Sequence, residues 1–480
     1  MTNTTISSTS VSEGPQATSP QQRLGLGEKV GYGVGDIGFN FYWANISAFL
    51  LIFYTDVFGI SAAAAGTMML ITKIIDAFTD PMMGAIADRT RSRFGKFRPY
   101  LLWLALPLAG AGVLTYTTPD LDADGKLYWA YGTYSLLMLI YTGINIPYSA
   151  LSGVITANSQ DRTTLVSFRF IGGFTGGILV TYLTPKLVPL LGQGDDVLGW
   201  QLTMGLFGLA AALLFLCTFA STRERIQPVS ALPAPVWQDI RDLAGNKPWL
   251  VLFCLAMVIM ITITLRASSA VYYFKYYLQQ PQLVGEFLSS YMLALALGAA
   301  STPLMTRFLP KKTLMMLLMS LAGVMSLALY FVPPDNITLV FALNLAIGFV
   351  LGPKSPLAFS MYADSADYNE WRTGRRATAM TFSAATFSQK LGGALASATI
   401  GWVLALLGYV ANVEQNAGSQ QGILWLMSVI PGIVALLAAA VMWCYPLSEA
   451  QVHALQQELA ARRVTAEQDV SSTDISGSKT

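Results

Sequence analysis

The sequence predicts an all-α polytopic membrane protein, with twelve transmembrane helices in two six-helix bundles. Three observations carry that expectation. Of the 480 residues, 54% are apolar and only 12% are charged, the balance of a chain solvated by lipid. Apolar stretches of about 20 residues, the length that crosses a bilayer as a helix, recur along the whole chain. Near the middle, residues 222–248 are charged and contain prolines, and they leave six such stretches on either side.

In order, the spans are expected near residues 32–55, 61–87, 99–118, 127–150, 164–184 and 200–221, then 249–269, 286–306, 314–332, 338–360, 377–409 and 421–445. Residues 23–221 form the first bundle, 222–248 a cytoplasmic linker and 249–446 the second bundle. Residues 1–22 are Ser/Thr-rich, without the basic segment and apolar run of a signal peptide, and are expected to be a disordered cytoplasmic tail. Residues 447–480 form a second cytoplasmic tail. Orientation comes from the 29 Lys and Arg, of which 21 fall on one side, including Arg89, Arg91, Arg93, Lys96 and Arg98. Only Lys126 and Lys186 lie in loops on the other. Cytoplasmic loops carry such an excess, so both termini are expected in the cytoplasm.

The chain is organised around Lys73-Ile74-Ile75-Asp76-Ala77-Phe78-Thr79-Asp80-Pro81, inside the second span. An ionised group at mid-bilayer costs roughly 2.5–3.5 kcal/mol even on the lenient insertion scale. On a helix Asp76 and Asp80 share one face, with Lys73 one turn before Asp76. Lys73 can neutralise Asp76 for insertion, but Asp80 is left without a local partner. Two carboxylates a turn apart suit a small cation, a proton or Na+. A coupling-ion site is therefore expected here, with purely structural ion pairing as the alternative.

The other classes of function lack their residues. Cys217, Cys254 and Cys444 are scattered without metal or redox spacing, and the single histidine, His453, lies in the C-terminal tail. No Ser-His-Asp, HExxH or cysteine-nucleophile arrangement is present, so neither an enzyme nor a cofactor is expected. The basic run 89–98 sits in a tight loop between spans, which argues against a nucleic-acid partner. Gly31, Gly33 and Gly35 in GYGVGD have no strand before them and no Lys-Ser/Thr after them, so they read as a helix-packing face, not a phosphate loop.

Two charged loops occupy matching places in the two halves: Asp88, Arg89 and Arg93 after span two, and Asp364, Asp367, Glu370 and Arg375 after span ten. They are expected to form a cytoplasmic gate whose ion pairs hold in the outward-facing state and break on inward opening. Tyr42, Trp43, Tyr141 and Tyr148 offer aromatic faces and hydrogen-bonding groups to a small polar substrate on spans one and four. Arg169 and Lys390 are cations in the bundle core that call for a reason. Arg266 and Lys275 are expected to snorkel near the outer interface.

The motifs GYGVGD, FYTDVFG, DAFTDPMMG, DRTRSRFGKFRP, NIPYSAL and ADSADYNEWRTGRR, with the segment around Arg169, resemble those of the glycoside–pentoside–hexuronide:cation symporters. This family of the major facilitator superfamily contains the melibiose and glucuronide permeases, and the resemblance runs from about Gly27 to Leu447. It implies symport of a sugar with H+ or Na+, by a monomer in the bacterial cytoplasmic (inner) membrane. It matches the cation carboxylates to Asp76 and Asp80, a further ligand to Thr142, and the sugar-contacting cations to Arg169 and Lys390. Thr79 stands where sodium-using members commonly have Asn. Asn40 and Asn145 replace two sugar-binding aspartates of melibiose permease, so melibiose is not the expected substrate. Asp36 and Lys354 complete the expected substrate group, although Lys354 can instead pair with Asp36 or a loop carboxylate. With two carboxylates lost and Arg169, Lys390 and Lys354 present, an acidic glycoside such as a hexuronide is preferred. A neutral pentoside or hexoside is the alternative, and a lysolipid the most distant one.

Overall fold

A computed structural model describes residues 24–156, 159–225, 241–374, 378–459 and 461. The tail expected over 1–22 and most of the linker expected over 222–248 lie outside these residues, as do Arg375 and the side chain of Asp88. Ten helices among the described residues are long and apolar enough to cross a bilayer. The interrupted pair Arg98–Trp103 and Ala105–Thr115, and the helix Thr378–Leu406, are consistent with twelve traverses.

Helix starts are marked by short polar side chains that satisfy the free N–H groups of the first turn. Asp122 caps span four through the Gly125 N–H (3.0 Å), Asn246 caps span seven through Trp249 (3.1 Å), and Asn416 caps span twelve through Ser419 (2.8 Å). Several spans outrun their apolar stretches: span four is Ala123–Ile155 and span five Ser159–Gly192. Hydropathy sees only the lipid-facing part of a helix; the polar ends continue because their backbone bonds and caps still hold. Span ten is interrupted between Ile337–Leu351 and Lys354–Thr373, where Pro353 has no N–H to continue the ladder.

Glycines set the closest helix contacts, as expected for GYGVGD. A Cβ on Gly33 would meet the Phe168 carbonyl at 2.6 Å, and one on Gly172 the Gly33 carbonyl at 2.1 Å, so spans one and five touch backbone to backbone. Spans two and eleven do the same across the two halves: a Cβ on Gly401 would lie 2.2 Å from the Ala62 carbonyl. That crossing fixes span eleven against the face that carries Asp76 and Asp80.

The loop after span two is held by one carboxylate from the end of span six. Glu224 accepts the backbone N–H groups of Lys96, Phe97 and Arg98 at 2.7–2.9 Å. At this basic end the described ion pairs each lie inside one half. Lys29–Asp161 (2.8 Å) and Arg225–Glu28 (2.7 Å) belong to the first, and Lys311–Asp364 (2.8 Å) to the second.

Candidate coupling site and gates

Asp76 and Asp80 face the second half, and Lys390 of span eleven reaches both. Its ammonium lies 2.9 Å from Asp76 Oδ2 and also bonds Asp80 Oδ2. On the other side, the Thr142 hydroxyl of span four lies 2.8 Å from Asp76 Oδ1 and 3.0 Å from Asp80 Oδ1. Asp76 is 2% exposed, and a buried carboxylate persists only with such partners. The cluster joins three helices and both bundles.

Two expectations change here. Lys73 does not pair with Asp76: its ammonium rests 3.6 Å from Met138 Sδ and 4.7 Å above the Trp43 ring. Lys390 has taken the carboxylates, and an ammonium excluded from them settles on soft, polarisable faces. The Thr79 hydroxyl donates to the Asp76 carbonyl (3.1 Å), an intrahelical bond, instead of facing the carboxylate pair.

The expected substrate group forms a second cluster on spans one, four and five. Arg169 Nε bonds Asp36 Oδ1 at 3.0 Å, and its guanidinium lies 5.1 Å from the Tyr148 ring centre. Asn40 Nδ2 donates to the Asp36 carbonyl (2.9 Å), and Phe39 packs on both Tyr141 and Tyr148. Gly173 makes room: a Cβ there would sit 2.7 Å from Asp36 Oδ2. Asn145 is half-buried on span four, one turn past Thr142. The cations expected to be free are therefore bonded already, Arg169 to Asp36 and Lys390 to Asp76 and Asp80. Lys354 is the exception: it is 5% exposed and has no hydrogen bond or ion pair among the described residues.

Two of the expected gate residues at the basic end bond within the second half. Asp364 pairs with Lys311 and Asp367 accepts from Gln456 (3.3 Å), both within the second half. Arg89 and Arg93 are exposed, Arg93 lying 4.6 Å from the Phe94 ring, and Glu370 is half-buried.

The opposite end is shut by a group that sequence reasoning missed. Spans one and seven both finish in π-helical turns, Phe53–Phe58 and Tyr273–Tyr277. Asp56, its side chain 2% exposed, accepts from Thr55 (2.7 Å) and Tyr409 at Oδ1 and from Lys275 (2.6 Å) and Tyr276 at Oδ2. Lys275 also bonds Asn412 Oδ1 (2.9 Å), and Thr55 bonds Tyr272 (2.9 Å). Lys275 is thus a cross-half partner, not a snorkelling cation. The available signal was an acid and a base at matching ends of the first span of each half.

Two bundles joined by a buried ionic cluster and latched at one end define a membrane transporter of the alternating-access kind. Residues 31–449 match the MFS/sugar transport protein family, and the chain belongs to it. It is a transporter, not an enzyme. The chain is 36% identical to the inner membrane symporter YicJ of Escherichia coli (strain K12), over 94% of this chain and 98% of that one. It is 33% identical to the isoprimeverose transporter of Lactiplantibacillus pentosus, over 88% and 91%. Among solved structures the D-xylose-proton symporter has the same fold, with a TM-score of 0.63 at 14% identity, covering 88% of this chain and 98% of that one.

Proposed function

We propose that the protein couples the inward flow of a cation to the uptake of a glycoside, with the basic end and both termini in the cytoplasm. The observation that carries this reading is the cluster of Asp76, Asp80, Thr142 and Lys390. In the present state Lys390 occupies the carboxylates that a coupling cation needs. An arriving cation displaces it, and the freed ammonium becomes a donor for the substrate. Ion and sugar are linked through one side chain.

A proton fits the cluster better than Na+. The Thr142 hydroxyl has one hydrogen, yet its oxygen lies within 3.0 Å of both carboxylates. A proton on one carboxyl group supplies the missing donor. Thr79, bonded to its own helix, is not turned to a sodium ion.

Charge balance favours an acidic glycoside. Asp36, Asp76 and Asp80 are already matched by Lys73, Arg169 and Lys390, and Lys354 adds a further cation. A coupling ion therefore leaves the loaded protein with surplus positive charge, which a hexuronide offsets and a neutral sugar does not. The second reading, a neutral pentoside or hexoside, draws on the Arg169–Asp36 pair, which leaves that arginine satisfied without an anion. Competition separates them. A β-glucuronide is expected to inhibit uptake about tenfold or more better than the matching β-glucoside or β-xyloside, the worth of one charge-assisted bond. Stronger inhibition by the neutral compound overturns the acidic assignment and leaves symport standing.

A further inference from the structure

Beyond the coupling site, the latched end holds a cavity of about 170 Å³ between the halves. Its walls are apolar and aromatic, including Val188, Trp200 and Val284, while Asp56, Lys275 and Asp196 supply the charged part of its lining. A few polar groups in an apolar, aromatic wall is the lining of a site for a small organic molecule. Trp200 is pre-ordered for contact: it stacks on Tyr116 (5.6 Å between ring centres) and packs on Phe53 (5.8 Å). Asp196, at the start of span six, is exposed.

Two of the lining residues, Asp56 and Lys275, are also the centre of the latch. We infer that this cavity is a receiving site on the outer face for the transported sugar, and that its occupant helps release the latch. The inference rests on the proposed sugar transport. A ligand shifts a conformational equilibrium only by binding one state better than the other. In the latched state Asp56 is saturated by Thr55, Tyr276, Tyr409 and Lys275. Once the halves part, the bonds from Lys275, Tyr276 and Tyr409 are lost, and the hydroxyls of a sugar in the cavity replace them. A hydroxyl both donates to Asp56 and accepts from Lys275, which water does only with loss of its freedom. Two carboxylates against one lysine disfavour an acidic group, so the uncharged hydroxyl face of the glycoside is the part received.

The test separates the two faces of the membrane. Val188→Phe fills the cavity from its apolar wall without removing a latch donor or acceptor, and Asp196→Asn alters its charged lining at an exposed position. Uptake is measured in right-side-out vesicles and efflux in inside-out orientation, with the same glycoside. Val188→Phe is expected to raise the half-saturating concentration for influx by about fivefold, the worth of one hydrogen bond, and Asp196→Asn to lower it for an acidic glycoside, because one of the two opposing carboxylates is gone. Half-saturation from the cytoplasmic face stays unchanged. Unchanged influx, or an equal change from both faces, overturns the site and leaves a cavity that holds only water. Should Val188→Phe fail to reach the membrane, Asp196→Asn decides by the same asymmetry. Failure of the transport reading itself looks different: the wild-type protein then moves no glycoside in either direction.

Discussion

Asp76→Asn and Asp80→Asn are each expected to abolish gradient-driven accumulation while leaving substrate binding and exchange measurable. The pair holds Lys390 in this structure, and in the proposed cycle a coupling cation takes its place, so each carboxylate is needed for the swap. One inward charge across 100 mV supplies about 2.3 kcal/mol, enough for roughly 50-fold accumulation at 1.4 kcal/mol per decade. An asparagine neither takes up a proton nor balances Lys390. The variants therefore equilibrate sugar without concentrating it, losing that whole factor. Steady-state accumulation ratios in energised vesicles, beside exchange rates in de-energised ones, read both halves of the expectation. Full accumulation in both variants removes the site.

The second large effect belongs to Asp56. Asp56→Ala is expected to open the outer end, because it removes a carboxylate that accepts four bonds, from Thr55, Lys275, Tyr276 and Tyr409. Bonds to a charged group contribute about 1.5–3 kcal/mol each. Losing on the order of 3 kcal/mol from the latched state shifts the balance about 100-fold toward the outward-open one. Ser268, 2% exposed and bonded to the Ser47 carbonyl across the halves, is a suitable reporter. As Ser268→Cys, in a chain stripped of Cys217, Cys254 and Cys444, it reacts slowly with an impermeant maleimide from outside. Adding Asp56→Ala is expected to speed that reaction by one to two orders of magnitude or about 100-fold at most. An unchanged rate in a normally inserted variant contradicts the latch.

Most of the fold was legible because lipid imposes few solutions: long apolar stretches must be helices, and charge must sit at their ends. The twelve-span reading followed from that rule, and the close contact at Gly33 from the GYGVGD pattern; its partner Gly172 did not stand out in the sequence. Asp76, Asp80 and Thr142 were legible from helical spacing and from motif resemblance, and the structure brings them together. Pairings were less legible. Lys73 is three residues from Asp76, and local spacing favours their contact, yet Lys390 from 310 residues beyond Asp80 holds the carboxylates instead. Which of two cations reaches an anion depends on how two bundles dock, and no local pattern records it. Asp56 escaped for the same reason: its partners lie 219 and 353 residues away in the other half.

Cation-coupled glycoside symport is tested most directly by proton movement in proteoliposomes. A pH electrode follows a weakly buffered, sodium-free suspension while a β-glucuronide is added outside, with the coupling variant Asp76→Asn in parallel. The wild-type protein is expected to alkalinise the medium as sugar enters, and Asp76→Asn to leave the pH unchanged. Sugar entry with no accompanying proton movement in sodium-free medium, and no stimulation when Na+ is restored, would show a uniporter and contradict coupling at Asp76 and Asp80.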